Sequence, residues 1–237
     1  MQTGAISDHE AGEHEDRGVG GMMGRSAVVA VLGEGAETLF ALAEEADMVE
    51  LRLDLLSSSD PLGTLRTVRK TTAKPIIATA RHRSEGGRFQ SSEEVRRELL
   101  INAAAYADYV DVELNAEIRD EVISRIAKPA IVSYHDFKAM PGERQLAGIY
   151  SRMKDAGAGI AKIAVTPQGK KDNLRILQFL LEADTPLCMI AMGDLGRHMR
   201  VVAPLYGSAL TYGYVGESTA PGQMSLSDLC QAIRLLK

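Results

Sequence analysis

The residues of this chain that could carry chemistry begin with a lysine inside an apolar segment. Lys162 interrupts the run Ile160–Val165, and apolar runs of this length are typical of buried strands. Burial disfavours the ammonium form of a lysine, and the neutral amine is a nucleophile for carbonyl carbons. The alternative is a lysine near a strand end whose ammonium reaches water along its aliphatic stem. The rest of the chain has to distinguish these interpretations.

A histidine on the preceding strand-like segment could act together with this lysine. His135 lies near the C-terminal end of a strand that is predicted to begin near Ala130. Its imidazole titrates near neutral pH, so it can remove a proton that an iminium has made acidic. A histidine taken alone is more often a hydrogen-bonded core residue. Paired with an inward lysine on the next strand, it indicates the chemistry of an imine-forming lyase.

The charged residues of the predicted strands share one face of each strand. Successive strand residues point to opposite faces, and the face of a barrel strand that packs against helices has to be apolar. The polar positions therefore point into the barrel. They are Glu50, Arg52 and Asp54; Thr79 and Arg81; Asp111 and Glu113; Ser133 and His135; and Lys162. Such an interior favours a site for a polar ligand, although Asp54 and Asp111 could serve only as structural counter-ions.

Eight strand-like segments alternate with segments of helical period. The strands are predicted to begin near Val28, Met48, Pro75, Tyr109, Ala130, Ile160, Pro186 and Ala209. One helix is predicted over Ser92–Ala107, with Val95, Leu99, Ala103 and Tyr106 on one stripe, and the last follows Ser225. This pattern predicts a single α/β domain, a (β/α)8 TIM barrel over residues 25–237. The alternative, an open doubly wound sheet, is disfavoured because Gly33-Glu34-Gly35 lacks the rest of a dinucleotide fingerprint.

Composition narrows the classes of partner. The 237 residues are 45% hydrophobic and carry a net charge of -5, which disfavours nucleic acid and an anionic membrane as partners. Residues 1–24 are rich in Gly, His, Asp and Glu without periodicity, and we expect a disordered N-terminal extension there. Cys188 and Cys230 lie in apolar surroundings, which favours reduced cysteines and a cytoplasmic location.

Short motifs follow one another along these strands in a specific order. They are Glu50-Leu51-Arg52-Leu53-Asp54, Thr79-Ala80-Arg81, Glu85-Gly86-Gly87, Asp111-Val112-Glu113, Ser133-Tyr134-His135-Asp136-Phe137, Lys162, Met192-Gly193 with Gly196 and Arg200, Tyr206-Gly207-Ser208 and Ala220-Pro221-Gly222-Gln223. With this series the chain resembles the type I 3-dehydroquinate dehydratases from about Val28 to its end. The resemblance implies a (β/α)8 hydro-lyase of the shikimate pathway, which leads to chorismate and the aromatic amino acids.

The resemblance also implies a role for each site residue. Lys162 would form a Schiff base with the C3 ketone of 3-dehydroquinate, His135 would act as acid and base, and Glu85 would orient that histidine. The residues implied to bind the substrate are Glu50, Arg52, Arg81, Arg200, Thr219 and Gln223. No metal or organic cofactor is implied, because the iminium itself accepts the electrons, and the chain is expected to form a homodimer.

Two alternative functions remain beside the one that the resemblance implies, and four residues depart from the family pattern. A class I aldolase would also use an imine lysine, with glycines such as Gly193 and Gly196 binding a phosphate. A non-catalytic barrel would be expected to have lost the lysine or the histidine. The departures from the residues common in the family are Thr219 for serine, Met199 for serine, Tyr206 for phenylalanine, and Ala30 in place of a hydroxyl residue.

Overall fold

The computed structural model of the protein describes residues 26–236, in which strands and helices alternate along the chain. The strands are β1 (Ala27–Leu32), β2 (Met48–Arg52), β3 (Ile76–Thr79), β4 (Tyr109–Glu113), β5 (Ala130–Asp136), β6 (Ile160–Val165), β7 (Leu187–Ala191), β8 (Leu210–Tyr214) and β9 (Met224–Ser225). The α-helices are α1 (Ala36–Leu39), α2 (Pro61–Thr71), α3 (Glu93–Ala103), α4 (Arg119–Arg125), α5 (Glu143–Asp155), α6 (Lys170–Leu181), α7 (Met199–Val202) and α8 (Leu226–Leu235). The expected extension, residues 1–24, lies outside the described residues.

The strands form one parallel sheet that curls into a barrel. Hydrogen-bonded neighbours follow the order β7-β6-β5-β4-β3-β2-β1-β8-β9. At the open edge the Ala209 amide donates to the Leu187 carbonyl at 2.8 Å, which joins the start of β8 to β7. The prediction of a (β/α)8 barrel is therefore confirmed, and the doubly wound alternative is wrong. The two-residue strand β9, which the sequence did not predict, pairs with the end of β8.

The interior of the barrel has an apolar layer below a polar one. The apolar layer comes from early strand positions, and its largest members include Met48, Ile77, Ile131, Ile160, Leu210 and Tyr212. The polar layer starts two residues further along the same strands, where Glu50, Thr79, Ser133 and Lys162 are all buried. Because parallel strands place equivalent positions at one level, the polar side chains meet near the C-terminal ends of the strands, where barrel active sites lie.

The stripe predicted for the helix after β3 is wrong at Val95, which is 53% exposed, whereas Ala103 is buried and Leu99 and Tyr106 pack against the core. The buried residues of α3 also include Arg96 and Leu100. Because Arg96, at the centre of the buried face, is charged, the hydrophobic pattern did not identify that face. The helix also ends at Ala103 rather than near Ala107, since the chain then turns towards β4.

Two further expectations concern the cysteines and the last helix. Cys188 and Cys230 are both buried free thiols, as expected. Helix α8 begins after Ser225, whose hydroxyl accepts a hydrogen bond from the Asp228 amide at 3.1 Å, and this capping was also expected. None of the helices in the described part of the chain is both long and apolar enough to cross a membrane.

Candidate active site at the C-terminal ends of the strands

Lys162 lies in the middle of β6, and its side chain is only 5% exposed. Its Nζ atom is 3.0 Å from Asp111 Oδ2 and 3.5 Å from Glu50 Oε1. The same atom lies 4.4 Å from the centroid of the Tyr212 ring, within range of a cation–π contact. Two carboxylates and an aromatic face therefore enclose the amine, and the alternative of an ammonium reaching bulk water is wrong.

Both carboxylate oxygens of Asp111 have partners, a cation and a hydroxyl at Oδ1 and a cation at Oδ2. Oδ1 lies 2.8 Å from Arg81 Nη2 and accepts a hydrogen bond from Ser133 Oγ at 2.6 Å, while Oδ2 faces Lys162. Burial alone would raise the pKa of this carboxyl, but the Arg81 and Lys162 cations outweigh burial and hold the pKa well below its usual range. Asp111 is therefore a permanent carboxylate at neutral pH.

A chain of ion pairs connects this carboxylate to the helix layer. Arg81 Nη1 lies 3.1 Å from Glu113 Oε1, and Glu113 Oε2 lies 2.5 Å from Arg96 Nη1 on α3. Arg96 also pairs with Glu93 at 2.7 Å. Both arginines are buried, so their charges require these carboxylates. The network fixes Arg81, and through Arg81 it fixes Asp111.

His135 forms a close pair with Glu85, which ends the short 3-10 turn Arg83–Glu85. The two are joined at His135 Nδ1 and Glu85 Oε2, 2.8 Å apart, and the His135 amide also donates to Oε2 at 3.0 Å. Burial, followed by the Arg81 and Lys162 cations, lowers the pKa of His135 well below its ordinary value. Burial also raises the pKa of Glu85 to about 7, with the nearby Glu113 carboxylate adding to the rise and Arg81 opposing it.

The two members of the Glu85–His135 pair behave differently near neutral pH. The imidazole is neutral, and one further proton moves on and off Glu85 close to pH 7. When Glu85 is ionised, Nδ1–H donates to it, which leaves the Nε2 lone pair as a base on the other side of the ring. Because His135 lines the cavity, this base is available to a bound substrate.

Arg200 is a buried cation without an ion pair among the described residues. Its Nε donates to the Gly222 carbonyl at 3.0 Å, and Nη1 reaches the Tyr212 carbonyl at 3.4 Å. Its Nη2 is buried and has no hydrogen-bond partner within residues 26–236. Burial lowers the pKa of Arg200 to about 10, so it is still a cation at neutral pH. An unused, charged donor of this kind fits an anionic ligand.

The loop between β8 and β9 covers this arginine. Gln223 Oε1 accepts hydrogen bonds from the Thr219 amide at 2.8 Å and from the Thr219 hydroxyl at 3.1 Å. Gly222 has φ +68°, and a Cβ there would lie 2.4 Å from the Gly193 carbonyl oxygen, so only glycine fits. The Gly193 amide donates to the Pro221 carbonyl at 3.2 Å, which ties the loop to the end of β7.

A single cavity of about 520 Å³, including its opening to solvent, connects these groups. All nine residues that the resemblance implied as catalytic or substrate-binding line it. Arg52 among them is held by Asp54 through two hydrogen bonds of 2.8 and 2.9 Å, and Glu50 accepts from Thr79 at 2.8 Å. Asp54 is thus a counter-ion, one of the two roles considered from the sequence.

Other lining residues were not assigned to the site from the sequence. They include Val31, Phe137, Ile190, Met192 and Tyr212. Inward strand parity could have identified Val31 and Tyr212, whereas Phe137 follows the end of β5 and no periodicity marks it. Asp111 was also not assigned to the site from the sequence, because its contact with Lys162 depends on side-chain geometry.

Three of the four departures from the family pattern lie away from the cavity. Ala30 and Met199 are buried between the sheet and the helices, and Tyr206 is 40% exposed on the surface. Thr219 alone lines the cavity, where its hydroxyl bonds to Gln223.

Known proteins share both the sequence and the fold of this chain. The family model for type I 3-dehydroquinase matches residues 28–237. The 3-dehydroquinate dehydratase of Methanothrix thermoacetophila is 49% identical over 212 residues, which are 89% of this chain and 92% of that protein. The enzyme of the same name from Methanocella arvoryzae is 41% identical, over 88% of this chain and 96% of that protein.

Solved structures agree with these relatives. The 3-dehydroquinate dehydratase of Geobacillus kaustophilus superposes with a TM-score of 0.80 at 29% identity, covering 90% of this chain and 91% of that one. The type I enzyme of Clostridium difficile, solved with covalently modified comenic acid, has a TM-score of 0.79 at 29% identity, covering 90% and 93%. The chain belongs to the type I 3-dehydroquinase family.

Proposed function

We propose that this hydro-lyase converts 3-dehydroquinate to 3-dehydroshikimate through a Schiff base on Lys162. The amine condenses with the C3 ketone to give an iminium and water. His135 then removes the C2 proton, which yields an enamine, and returns a proton to the C1 hydroxyl as it leaves as a second water. Water finally hydrolyses the conjugated iminium and releases the product with the free amine.

The observation that carries this proposal is one cavity that holds a nucleophile, a base and an unpaired cation. Lys162 and His135 lie on neighbouring strands, where Ser133 pairs with Lys162 and His135 pairs with Ala164. The neutral imidazole supports a role as base, and Glu85 supports it by holding Nδ1. The unused Nη2 of Arg200 supports a substrate that carries a carboxylate.

The remaining lining residues suit a polyhydroxylated acid. Glu50, Arg52 and Arg81 would hold the ring hydroxyls, because they combine acceptors and donors at one level of the barrel. Thr219 and Gln223 would close over the carboxylate with Arg200. The loop that carries them would then exclude water from the iminium.

The proposal is tested by assaying the purified enzyme with 3-dehydroquinate and with phosphorylated aldol substrates. We expect an absorbing conjugated enone to appear from 3-dehydroquinate, and Lys162→Met to abolish it without loss of folding. Retro-aldol cleavage without dehydration would overturn the proposal in favour of the aldolase. Against that alternative, the amides of Gly193 and Gly196 already donate to Pro221 and Gly193 carbonyls, at 3.2 and 3.1 Å, so neither is free for a phosphate.

We also propose a homodimer. Exposed leucines support it, since Leu174 and Leu181 of α6 are 67% and 68% exposed and Leu205 beyond α7 is 49% exposed. Light scattering after gel filtration should give the mass of two chains, and Leu174→Glu should shift it towards one. A monomeric wild-type protein would refute the dimer.

We propose that the reaction belongs to the shikimate pathway and takes place in the cytoplasm. The free thiols of Cys188 and Cys230 are compatible with a reducing compartment. Deletion of the coding sequence should make growth depend on added aromatic amino acids; unimpaired growth without them would contradict this placement.

A further inference from the structure

The Lys162 amine has more close charged partners than a nucleophile alone requires. Its closest partner, Asp111, is 1% exposed and lies on β4, two strands away. Glu50 stands at the longer distance of 3.5 Å, and its contacting oxygen Oε1 also accepts from Thr79. Asp111 is thus the principal counter-ion of the amine, and Glu50 is a secondary one.

The Asp111 carboxylate is held in position by partners on the oxygen that does not face Lys162. Oδ1 is occupied by Arg81 at 2.8 Å and by Ser133 at 2.6 Å, which leaves Oδ2 for the lysine. Arg81 is in turn held by Glu113, which Arg96 ties to α3. The carboxylate can neither rotate away nor take up a proton without breaking these contacts.

Formation of the iminium keeps one positive charge on the nitrogen that faces this carboxylate, until loss of the C2 proton gives the neutral enamine. The ammonium and the ketone together give the iminium and water, R–NH₃⁺ + O=CR₂ → R–NH⁺=CR₂ + H₂O. Of the three hydrogens on the ammonium, two leave with the oxygen and one remains. A single remaining N–H can satisfy only one of the two carboxylates that pair with the ammonium.

We infer that Asp111 is a positioning residue and the fixed counter-ion of the covalent intermediate, and that it accepts the one N–H left on the iminium. Glu50 loses its contact with the nitrogen when the iminium forms, and its carboxylate is then free to accept a substrate hydroxyl. This inference rests on the proposed Schiff base. It assigns to Asp111 a function in the reaction, in addition to its ion pair with Arg81.

The test compares Asp111→Asn with Asp108→Asn in rapid borohydride quenching during turnover. Both changes keep the size of the side chain and remove its charge, but Asp108 does not line the cavity and pairs with Arg69 at 2.9 Å. We expect Asp111→Asn to lower kcat about 100-fold, as removal of an electrostatic contact at the reacting atom does. The fraction of enzyme trapped as reduced adduct should fall at least tenfold, with KM changing less than kcat.

The control variant separates this function from a purely structural one. Asp108→Asn should lower the melting temperature, because it removes the ion pair with Arg69, while the trapped fraction stays near that of the wild type. A trapped fraction in Asp111→Asn equal to that of the wild type would overturn the inference. If the wild type itself gives no adduct during turnover, the proposed function fails as well, so the two failures are distinguishable.

A second measurement uses the wild-type enzyme alone and does not depend on the folding of a variant. A crystal structure of the unreduced covalent intermediate, trapped by freezing crystals soaked with 3-dehydroquinate, should place the Lys162 nitrogen within hydrogen-bond distance of Asp111 Oδ2 and beyond that distance from Glu50. A nitrogen bonded to Glu50 and turned away from Asp111 would overturn the inference.

Discussion

The proposed nucleophile and the proposed base each have a close partner from another strand or turn. Lys162 is paired with Asp111, and His135 with Glu85, at 3.0 and 2.8 Å. Strand parity predicted that Lys162, His135 and Asp111 point inward, because parity follows from sequence position alone. It could not predict which carboxylate reaches the amine, since that contact depends on side-chain conformations across the barrel.

The first residue-scale prediction concerns His135. Replacing it with alanine should leave the amine of Lys162 able to form the imine, because the nucleophile and its counter-ions are untouched. Turnover should fall about 10²–10⁴-fold, the usual contribution of a general acid–base group. Single-turnover trapping and steady-state assays of the same preparation check this, and a near-normal kcat would refute the role of His135.

A second residue-scale prediction follows from the raised pKa of Glu85. Its pKa is about 7 in the folded chain and 4.5 as the ordinary value, so the folded state binds the proton more tightly. The stability that this proton contributes is complete below pH 4.5 and is lost as pH rises through about 7. The loss amounts to about 3 kcal/mol at ~1.36 kcal/mol per pKa unit.

Glu85→Gln cannot ionise, so its melting temperature relative to the wild type should rise between pH 5 and pH 8. Glu217→Gln, a change at an exposed loop carboxylate, serves as the control and should follow the wild type at both pH values. A melting-temperature difference between Glu85→Gln and the wild type that is the same at pH 5 and pH 8 would contradict the raised pKa.

At the scale of elements, the order of strands and helices was predictable, and the centre of the buried face of α3 was not. Hydrophobic periodicity marks a strand or a helix wherever its buried face is apolar. In α3 the most buried large side chain is Arg96, which pairs with Glu113 at the end of β4. When the ion-pair partner of a buried charged residue lies on another element, the hydrophobic pattern of its own helix predicts that the residue is at the surface.

The loop over Arg200 gives the prediction at this scale. Gln223→Ala should raise KM for 3-dehydroquinate more than it lowers the melting temperature, because the side chain faces the cavity and holds Thr219. Ser218→Ala is the matched control, since Ser218 is exposed in the same loop and bonds only to the Ala220 carbonyl among described residues. A lower melting temperature with unchanged kinetics in Gln223→Ala would show a structural role instead.

At the scale of the whole molecule, the barrel brings together residues from the second strand to the last loop. Equivalent positions of parallel strands lie at one level, so motifs far apart in sequence, such as Glu50 and Arg200, line the same cavity. This is why residues from motifs spread along the chain line one candidate cavity. The apolar layer beneath the polar one, which includes Ile131 and Ile160, completes the enclosure of the amine.

The covalent intermediate on Lys162 is the central claim, and substrate-dependent reduction tests it most directly. The wild-type enzyme is treated with borohydride in the presence and absence of 3-dehydroquinate, digested, and mapped by mass spectrometry. We predict a stable adduct on the peptide that contains Lys162, formed only with substrate and accompanied by loss of activity. An enzyme that dehydrates 3-dehydroquinate yet gives no adduct at Lys162 would contradict this account.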